Sequence, residues 1–363
     1  MNDWKNARKI LCVRLDYMGD VLMCTPAIRA IRESQPASEI TLLSSASGAA
    51  VAAMIPEIDQ AIPFAAPWMK ASMPHKTSLD QQMLTHLQQQ NFDAAVILTT
   101  YSQSALPAAM LCYQAGIPLR LAHCHENPYA LLSDWVPDPE PHNLLRHEVQ
   151  RQLDLVASIG CHTSNERLSF SVPQEAAQWA QERLAQLALG RHWILMHPGA
   201  TAASRRYPPA SWAAAADLVT RELGLSIVFS GNLDEIGLID GIRHAMRTPA
   251  TSLAGELDLG RLGAMIASAP VMVSNNSGPA HIAAALGTPL VDLYALTNPQ
   301  HTPWQVASKV LYQMVPCRNC YRSVCPQQHQ HCLSQVEPER VMNAVRELMI
   351  APTIQTDTAL LQA

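Results

Sequence analysis

The sequence predicts an α/β protein built from two doubly wound domains. Short apolar runs of strand length alternate with helical segments, and the alternation begins twice, at Lys9 and again at His192. Repeated strand–helix units make parallel sheets covered on both faces. The 363 residues suffice for about two domains of roughly 150 residues each.

The elements follow in order. Lys9–Leu15 (KILCVRL) reads as a buried strand with one charge, Arg14, inside it. Gly19 breaks it, and Asp20 opens a helix to about Glu33, interrupted by Pro26. Glu39–Leu43 is a second strand and Ala49–Ile55 a short helix. Leu79–Gln90 is a polar amphipathic helix, Phe92–Leu98 a strand and Ala105–Ala115 a helix. Pro118–Asn143 reads as loop because Pro128, Pro137, Pro139 and Pro141 interrupt it. His147–Ser158 is helical, Cys161–Pro173 connects, and Gln174–Leu189 is a helix ended by Gly190.

The second half repeats the plan. His192–Met196, Ser226–Phe229, Val271–Ser274 and Leu290–Leu293 read as strands. Pro208–Leu223, Asp234–Met246, Leu259–Ala267 and Pro279–Leu286 read as helices. A cysteine-rich loop, a helix over Pro338–Met349 and a polar tail close the chain. Ligands sit in such folds at the carboxyl ends of the strands.

Composition narrows the function. With 25 Lys+Arg against 30 Asp+Glu, the net charge of −5 is wrong for a generally basic nucleic-acid binder. Hydrophobic residues make up 48%, enough for full cores, so global disorder is excluded. Only Lys5, Lys9, Lys70, Lys76 and Lys309 are lysines. The other cations are arginines, whose planar fork suits oxyanions. No apolar run approaches the roughly 18 residues of a membrane span, and the charged start does not resemble a signal peptide. A cytoplasmic location is therefore expected, with the nine cysteines reduced.

Four motifs could carry chemistry. In Arg14-Leu-Asp-Tyr-Met-Gly19-Asp20, Asp20 is either an N-cap or a general base at a strand–helix junction. His197-Pro-Gly-Ala-Thr201 with Ser204-Arg205-Arg206 is either a solvated loop or a diphosphate cradle beside a helix start. Ser274-Asn275-Asn276-Ser277-Gly278-Pro279-Ala280-His281 is a helix start, whose open N–H groups suit an anion. Ser230–Glu235 repeats that layout with acidic residues better suited to ribose hydroxyls. Cys317, Cys320, Cys325 and Cys332, with His329 and His331 nearby, suggest a structural zinc, disulfides or simple packing.

Together these segments resemble glycosyltransferase family 9, the ADP-heptose:lipopolysaccharide heptosyltransferase family. The match rests on RLDYMGDVLMCTPAIRAIRESQP, HPGA with SRRYPPASW, VSNNSGPAHIAAALGTPLVDLY and the cysteine segment, in that order over roughly Lys9 to Met349. The resemblance implies the GT-B architecture, two Rossmann-like domains facing across a cleft. Residues 1–170 would bind the acceptor and 171–336 the nucleotide-sugar, while 337–363 would hold a helix crossing back to the first domain, then the tail.

The resemblance also implies roles. Asp20 is the base that deprotonates the acceptor hydroxyl. Thr201, with Arg205 or Arg206, holds the donor phosphates, and Glu235 meets the ribose. Asn276, Ser277, Gly278, Pro279, Ala280 and His281 lie below the diphosphate and sugar, with Asn276 where many members carry Asp. The expected reaction moves a heptose or related sugar from an ADP-sugar to a saccharide hydroxyl, such as one of the lipopolysaccharide inner core, with inversion. No Asp-x-Asp pair occurs, so no catalytic metal or other cofactor is expected. Lys70, Arg120 and Arg146 are the first acceptor-binding candidates, with Lys76, His123 and His125 behind them. No nucleic-acid partner is expected, and at most peripheral contact with the inner face of the cytoplasmic membrane. A sugar-nucleotide epimerase of the same fold, or a nucleotide-sugar-binding protein without transfer, are the competing readings.

Overall fold

The computed structural model describes residues 3–70, 76–189 and 192–351. The chain divides into two units, Met1–Ser169 and Phe170–Ala363, each taken by itself.

The first unit has strands β1 (Lys9–Arg14), β2 (Glu39–Ser44), β3 (Gln60–Pro63), β4 (Ala94–Ile97), β5 (Leu119–Cys124) and β6 (Asp134–Pro137). They form one sheet in the order β3-β2-β1-β4-β5-β6, every pair parallel. Its helices are α1 (Met18–Ser34), α2 (Ala46–Ala52), α3 (Thr77–Gln90), α4 (Leu106–Gln114) and α5 (Glu148–Ala157). Leu11, Val13, Ala95, Ile97 and Ala122 of the sheet pack with Ala108, Ala109 and Cys112 of α4 in one buried cluster. Each fully buried aliphatic side chain of this kind contributes roughly 1.5–3 kcal/mol.

The second unit has α6 (Gln174–Gln186), β7 (Trp193–His197), α7 (Pro209–Leu223), β8 (Ser226–Phe229), α8 (Ile236–Ala245), β9 (Ala250–Ser252), α9 (Leu259–Ser268), β10 (Met272–Asn275), α10 (Gly278–Leu286), β11 (Leu290–Leu293), β12 (Ser308–Leu311), α11 (His331–Ser334) and α12 (Pro338–Ile350). Its parallel sheet runs β12-β11-β10-β7-β8-β9. Renumbered from β7, this is the same order as in the first unit. Each sheet therefore reverses its winding once, between β1 and β4 and between β7 and β10. Those are the points where the loops after the strands splay apart and admit a ligand.

Several expectations need correction. The helix after β1 is not interrupted at Pro26 but runs through it. Proline cannot donate to the carbonyl four residues back, and that carbonyl, of Leu22, instead accepts the Thr25 hydroxyl at 2.6 Å. The stretch Pro118–Asn143 is not all loop: it contains β5 and β6. Polar Arg120 and His123 disguise β5, although both are buried in it. Strands β3, β9 and β12, each of four residues or fewer, also went unpredicted.

The helix expected to cross back, α12, packs Val341, Met342, Ala344, Val345 and Leu348 into the second unit's own core, with α7 its main neighbour. Gly190 and the tail 352–363 lie outside the described residues.

Candidate active site

At the reversal point of the first unit, β1 ends in a buried arginine. Arg14 Nη1 lies 2.6 Å from Glu148 Oε1, its Nε 2.9 Å from Asp16 Oδ2, and Nη2 3.5 Å from Asp20 Oδ1. Burial opposes the Arg14 charge, but Glu148, with help from Asp16 and Asp20, more than offsets it and raises the pKa. One guanidinium thus faces three carboxylates.

Asp20 sits in the first turn of α1, three residues after its N-cap, Tyr17. The expectation of Asp20 as the cap itself is corrected: the cap lies three residues earlier, at Tyr17. Its Oδ2 accepts the Tyr17 N–H at 3.3 Å, the carboxylate half of a capping box. Its side chain remains partly exposed. Asp20 therefore has a structural role while its carboxylate stays partly exposed.

Past the ends of β1 and β4 opens a cavity of about 270 Å³ whose walls include Leu15, Trp68 and Pro107, with Asp16, Thr99 and Gln103 as polar groups. Gln103 donates to Asp16 Oδ1 at 2.7 Å. Phe64 meets the Trp68 ring edge-on at 5.9 Å, fixing its tilt. An indole face beside hydroxyl, amide and carboxylate groups suits a sugar ring, apolar on one face and hydroxylated at the rim.

The cations expected to hold the acceptor are placed differently. Arg120 is buried and donates to the carbonyls of Ile117, Pro118, Ala130 and Leu131. It ties β5 to the chain beside it, and that expectation is corrected to a structural role. Arg146 is committed to Glu140 at 3.0 Å and Asp154 at 2.7 Å. His123 is buried, and His125 approaches Asp138 at 3.5 Å. Lys70 and Lys76 are exposed.

At the reversal point of the second unit, two loops are stitched together by Asn275. Its Nδ2 donates to the Pro198 carbonyl at 2.6 Å, and its Oδ1 accepts the Tyr207 N–H at 3.0 Å. The loop after β7, carrying Thr201, Arg205 and Arg206, is thus fixed to the start of α10. Thr201 and Arg206 are exposed and Arg205 is half-buried. Arg206 Nε donates to the Ala200 carbonyl at 2.7 Å. Ser277 caps α10 without a side-chain bond to the helix, its hydroxyl going instead to the Asn275 carbonyl at 3.2 Å. Pro279 follows in the first turn, and Ala280 and His281 are buried beneath it.

The turn after β8 adds Glu235, whose Oε2 accepts the Asn232 N–H at 2.9 Å and lies 3.9 Å from His197 Nε2. His197 also meets the Ser230 hydroxyl at 3.1 Å, and burial pushes its pKa down. A Cβ at position 199 would fall 1.8 Å from Glu235 Oε1. Gly199 is what lets that carboxylate stand against the loop after β7.

The cysteine loop is held by packing and by backbone hydrogen bonds. Among the described residues, no group of three or more His, Cys, Asp or Glu side chains is arranged to hold an ion. The expected zinc staple is corrected accordingly. All four thiols are free and half-buried, and Cys317 Sγ lies 3.9 Å from His329 Nε2. Cys317 and Cys332 pack on a small apolar nucleus of Tyr294, Leu296 and Val315. Backbone bonds from Asn319 to Leu296 and from Tyr321 to Thr297 pin the loop, and Ser204 binds the carbonyls of Arg322 and Ser323. The loop therefore also braces the turn that carries Arg205.

Sequence reasoning missed Glu148, Asp16, Trp68, Gln103 and Asp292. Two signals were there to read: Arg14 is a lone cation inside an apolar strand, and Asp292 a lone acid inside another. Each requires a buried partner.

Two parallel doubly wound units, each with a reversal point suited to a ligand, make up the GT-B fold. The family model described as glycosyltransferase family 9 (heptosyltransferase) matches residues 81–331, and the chain belongs to that family. Lipopolysaccharide heptosyltransferase 2 of Escherichia coli K12 is 26% identical over 360 residues, covering 94% of this chain and 99% of that one. A family 9 glycosyltransferase from Veillonella parvula superposes with a TM-score of 0.78 at 23% identity, covering 94% and 97% of the two chains. The E. coli ADP-heptose lps heptosyltransferase II does so with a TM-score of 0.72 at 23% identity, covering 94% and 98%. Among the described residues, no helix is long and apolar enough to cross a membrane.

Proposed function

We propose that this glycosyltransferase moves a heptose from ADP-heptose to a hydroxyl of a lipopolysaccharide-core saccharide, inverting C1. The observation that carries this reading is the pair of hydrogen bonds by which Asn275 donates to the Pro198 carbonyl and accepts from the Tyr207 N–H. It holds an arginine-bearing loop and an open helix start together in one unit, as a sugar diphosphate requires.

The chemistry follows from the donor. Its C1 already carries a leaving group, so the enzyme must remove a proton from the attacking oxygen and stabilise charge on the departing β-phosphate. Asp20 takes the proton as the acceptor oxygen forms its bond to C1. The C1–O bond to the diphosphate breaks on the opposite face, and ADP leaves with the electron pair. Arg205, Arg206, Thr201 and the first N–H groups of α10 hold that charge, and Glu235 binds the ribose hydroxyls. No step calls for a metal or another cofactor.

The cavity beside Asp16 and Trp68 is the acceptor subsite in this reading, and the exposed cations Lys70 and Lys76 meet acidic substituents. The enzyme works in the cytoplasm, on acceptors at the inner face of the membrane. Mass spectrometry of products from ADP-heptose and a panel of core saccharides tests the proposal. A product heavier by one heptose supports it; ADP release without a glycosylated product, or no turnover, overturns it.

A further inference from the structure

Asn276 stands at the start of α10, where the resemblance leads one to expect a carboxylate. The carboxylate is instead one strand away. Asn276 Nδ2 donates to Asp292 Oδ2 at 3.0 Å and to the His301 carbonyl at 2.9 Å. Both partners accept, so the amide nitrogen must face them and the orientation of the amide is not arbitrary. With both N–H groups spent, only the amide oxygen is left for a ligand. Asp292 is fully buried. Its Oδ1 lacks a hydrogen-bond partner, so a proton taken up there leaves Oδ2 accepting as before. Arg205 acts on the same carboxyl electrostatically.

We infer that Asp292 is a positioning residue for the donor. By fixing the Asn276 amide, it makes Asn276 an acceptor-only contact, which takes a hydroxyl of the transferred sugar and rejects phosphate oxygen. A free amide could turn its nitrogen to a phosphate; this one cannot. The inference rests on the donor reading above.

The test compares dissociation constants for ADP and ADP-heptose in four proteins: wild type, Asn276→Ala, Asp292→Leu and Asp292→Asn. Asn276→Ala and Asp292→Leu should shift the ratio towards ADP by about five- to tenfold, the size of one hydrogen bond, with ADP affinity itself unchanged. Asp292→Asn keeps an acceptor oxygen and should keep the ratio. Equal weakening of both ligands, or no shift in either variant, overturns the inference. So does Asp292→Asn behaving as Asp292→Leu does, since charge and not direction would then matter. If Asp292→Leu does not fold, Asp292→Ala removes the same acceptor without added bulk and should shift the ratio in the same way; an unchanged ratio there overturns the inference. Failure of the wild type to bind ADP overturns the donor reading itself and the inference with it.

Discussion

Arg14 and Glu148 form an ion pair in which neither side chain is exposed, with Nη1 2.6 Å from Oε1. The two are far apart in sequence, and the pair joins the end of β1 to the start of α5. Gln152, one turn later, donates to the same Oε1 at 2.9 Å. Removing Glu148 leaves the buried Arg14 charge with only Asp16 and Asp20, both partly exposed, to offset it. Glu148→Ala is expected to cost about 3–5 kcal/mol in denaturant unfolding. A loss under about 1 kcal/mol would mean that Asp16 and Asp20 suffice to hold Arg14.

Asp20→Asn separates the two roles of Asp20. The amide oxygen can still accept the Tyr17 N–H, so the capping box survives, but the base is gone. Turnover should fall by about two to four orders of magnitude with donor affinity and melting temperature nearly unchanged. Asp20→Ala should lose turnover similarly and about 1 kcal/mol of stability besides. Near-wild-type transfer by either variant reduces Asp20 to a cap.

Arg205→Ala and Arg206→Ala should each weaken ADP binding and lower kcat, because charge on the phosphate grows towards the transition state. Titration calorimetry with ADP and steady-state kinetics check this. Unchanged affinity and rate in both would place the phosphates elsewhere.

Two buried groups should tilt stability with pH in opposite senses. Burial, with the nearby Arg151 charge, pushes His123 down to about 4. The unfolded chain therefore takes up this proton first, and stability from this site is lost as pH falls from about 6.5 to about 4. Burial pushes Asp292 up to about 7, against the Asn276 hydrogen bond and the Arg205 charge. There the folded state holds the proton longer, so stability is lost as pH rises from about 4 to about 7. His123→Gln should remove the first slope and Asp292→Asn the second, read from urea midpoints across pH 4–8. Slopes that survive these substitutions would assign the titration to other groups.

The cysteine loop should be indifferent to chelators. Protein purified without one is expected to carry no stoichiometric zinc, and Cys320→Ser to melt within a few degrees of wild type. One zinc per chain, lost together with stability in that variant, would restore the metal staple.

Much of the fold was legible because parallel strands buried on both faces are written as unbroken apolar runs. KILCVR of β1 and SIVF of β8 are such runs, and each is followed by a helix with its own period. Strands with polar or few residues were not legible. β5 carries Arg120 and His123 inside, where Arg120 meets nearby carbonyls and one His123 nitrogen the Arg151 carbonyl, contacts that composition does not show, so polarity there reads as a loop. Pro26 looked like a break because the Thr25 hydroxyl that satisfies the Leu22 carbonyl is a matter of rotamer, not of composition.

The sequence by itself determined the family, the strand–helix alternation and the motifs at the strand ends, because these depend on local pattern and on residue types that backbone turns and phosphates demand. Only the tertiary structure decided which charges are spent. Arg120 and Arg146 look identical in sequence to Arg205, yet the first two are engaged by carbonyls and carboxylates and the third is half-buried at the donor loop. Tertiary structure likewise decided that Asn276 offers an oxygen and not a nitrogen, since that depends on Asp292, sixteen residues away. Pairing across a fold is set by which backbone and side-chain groups burial brings together, and burial is a property of the whole chain.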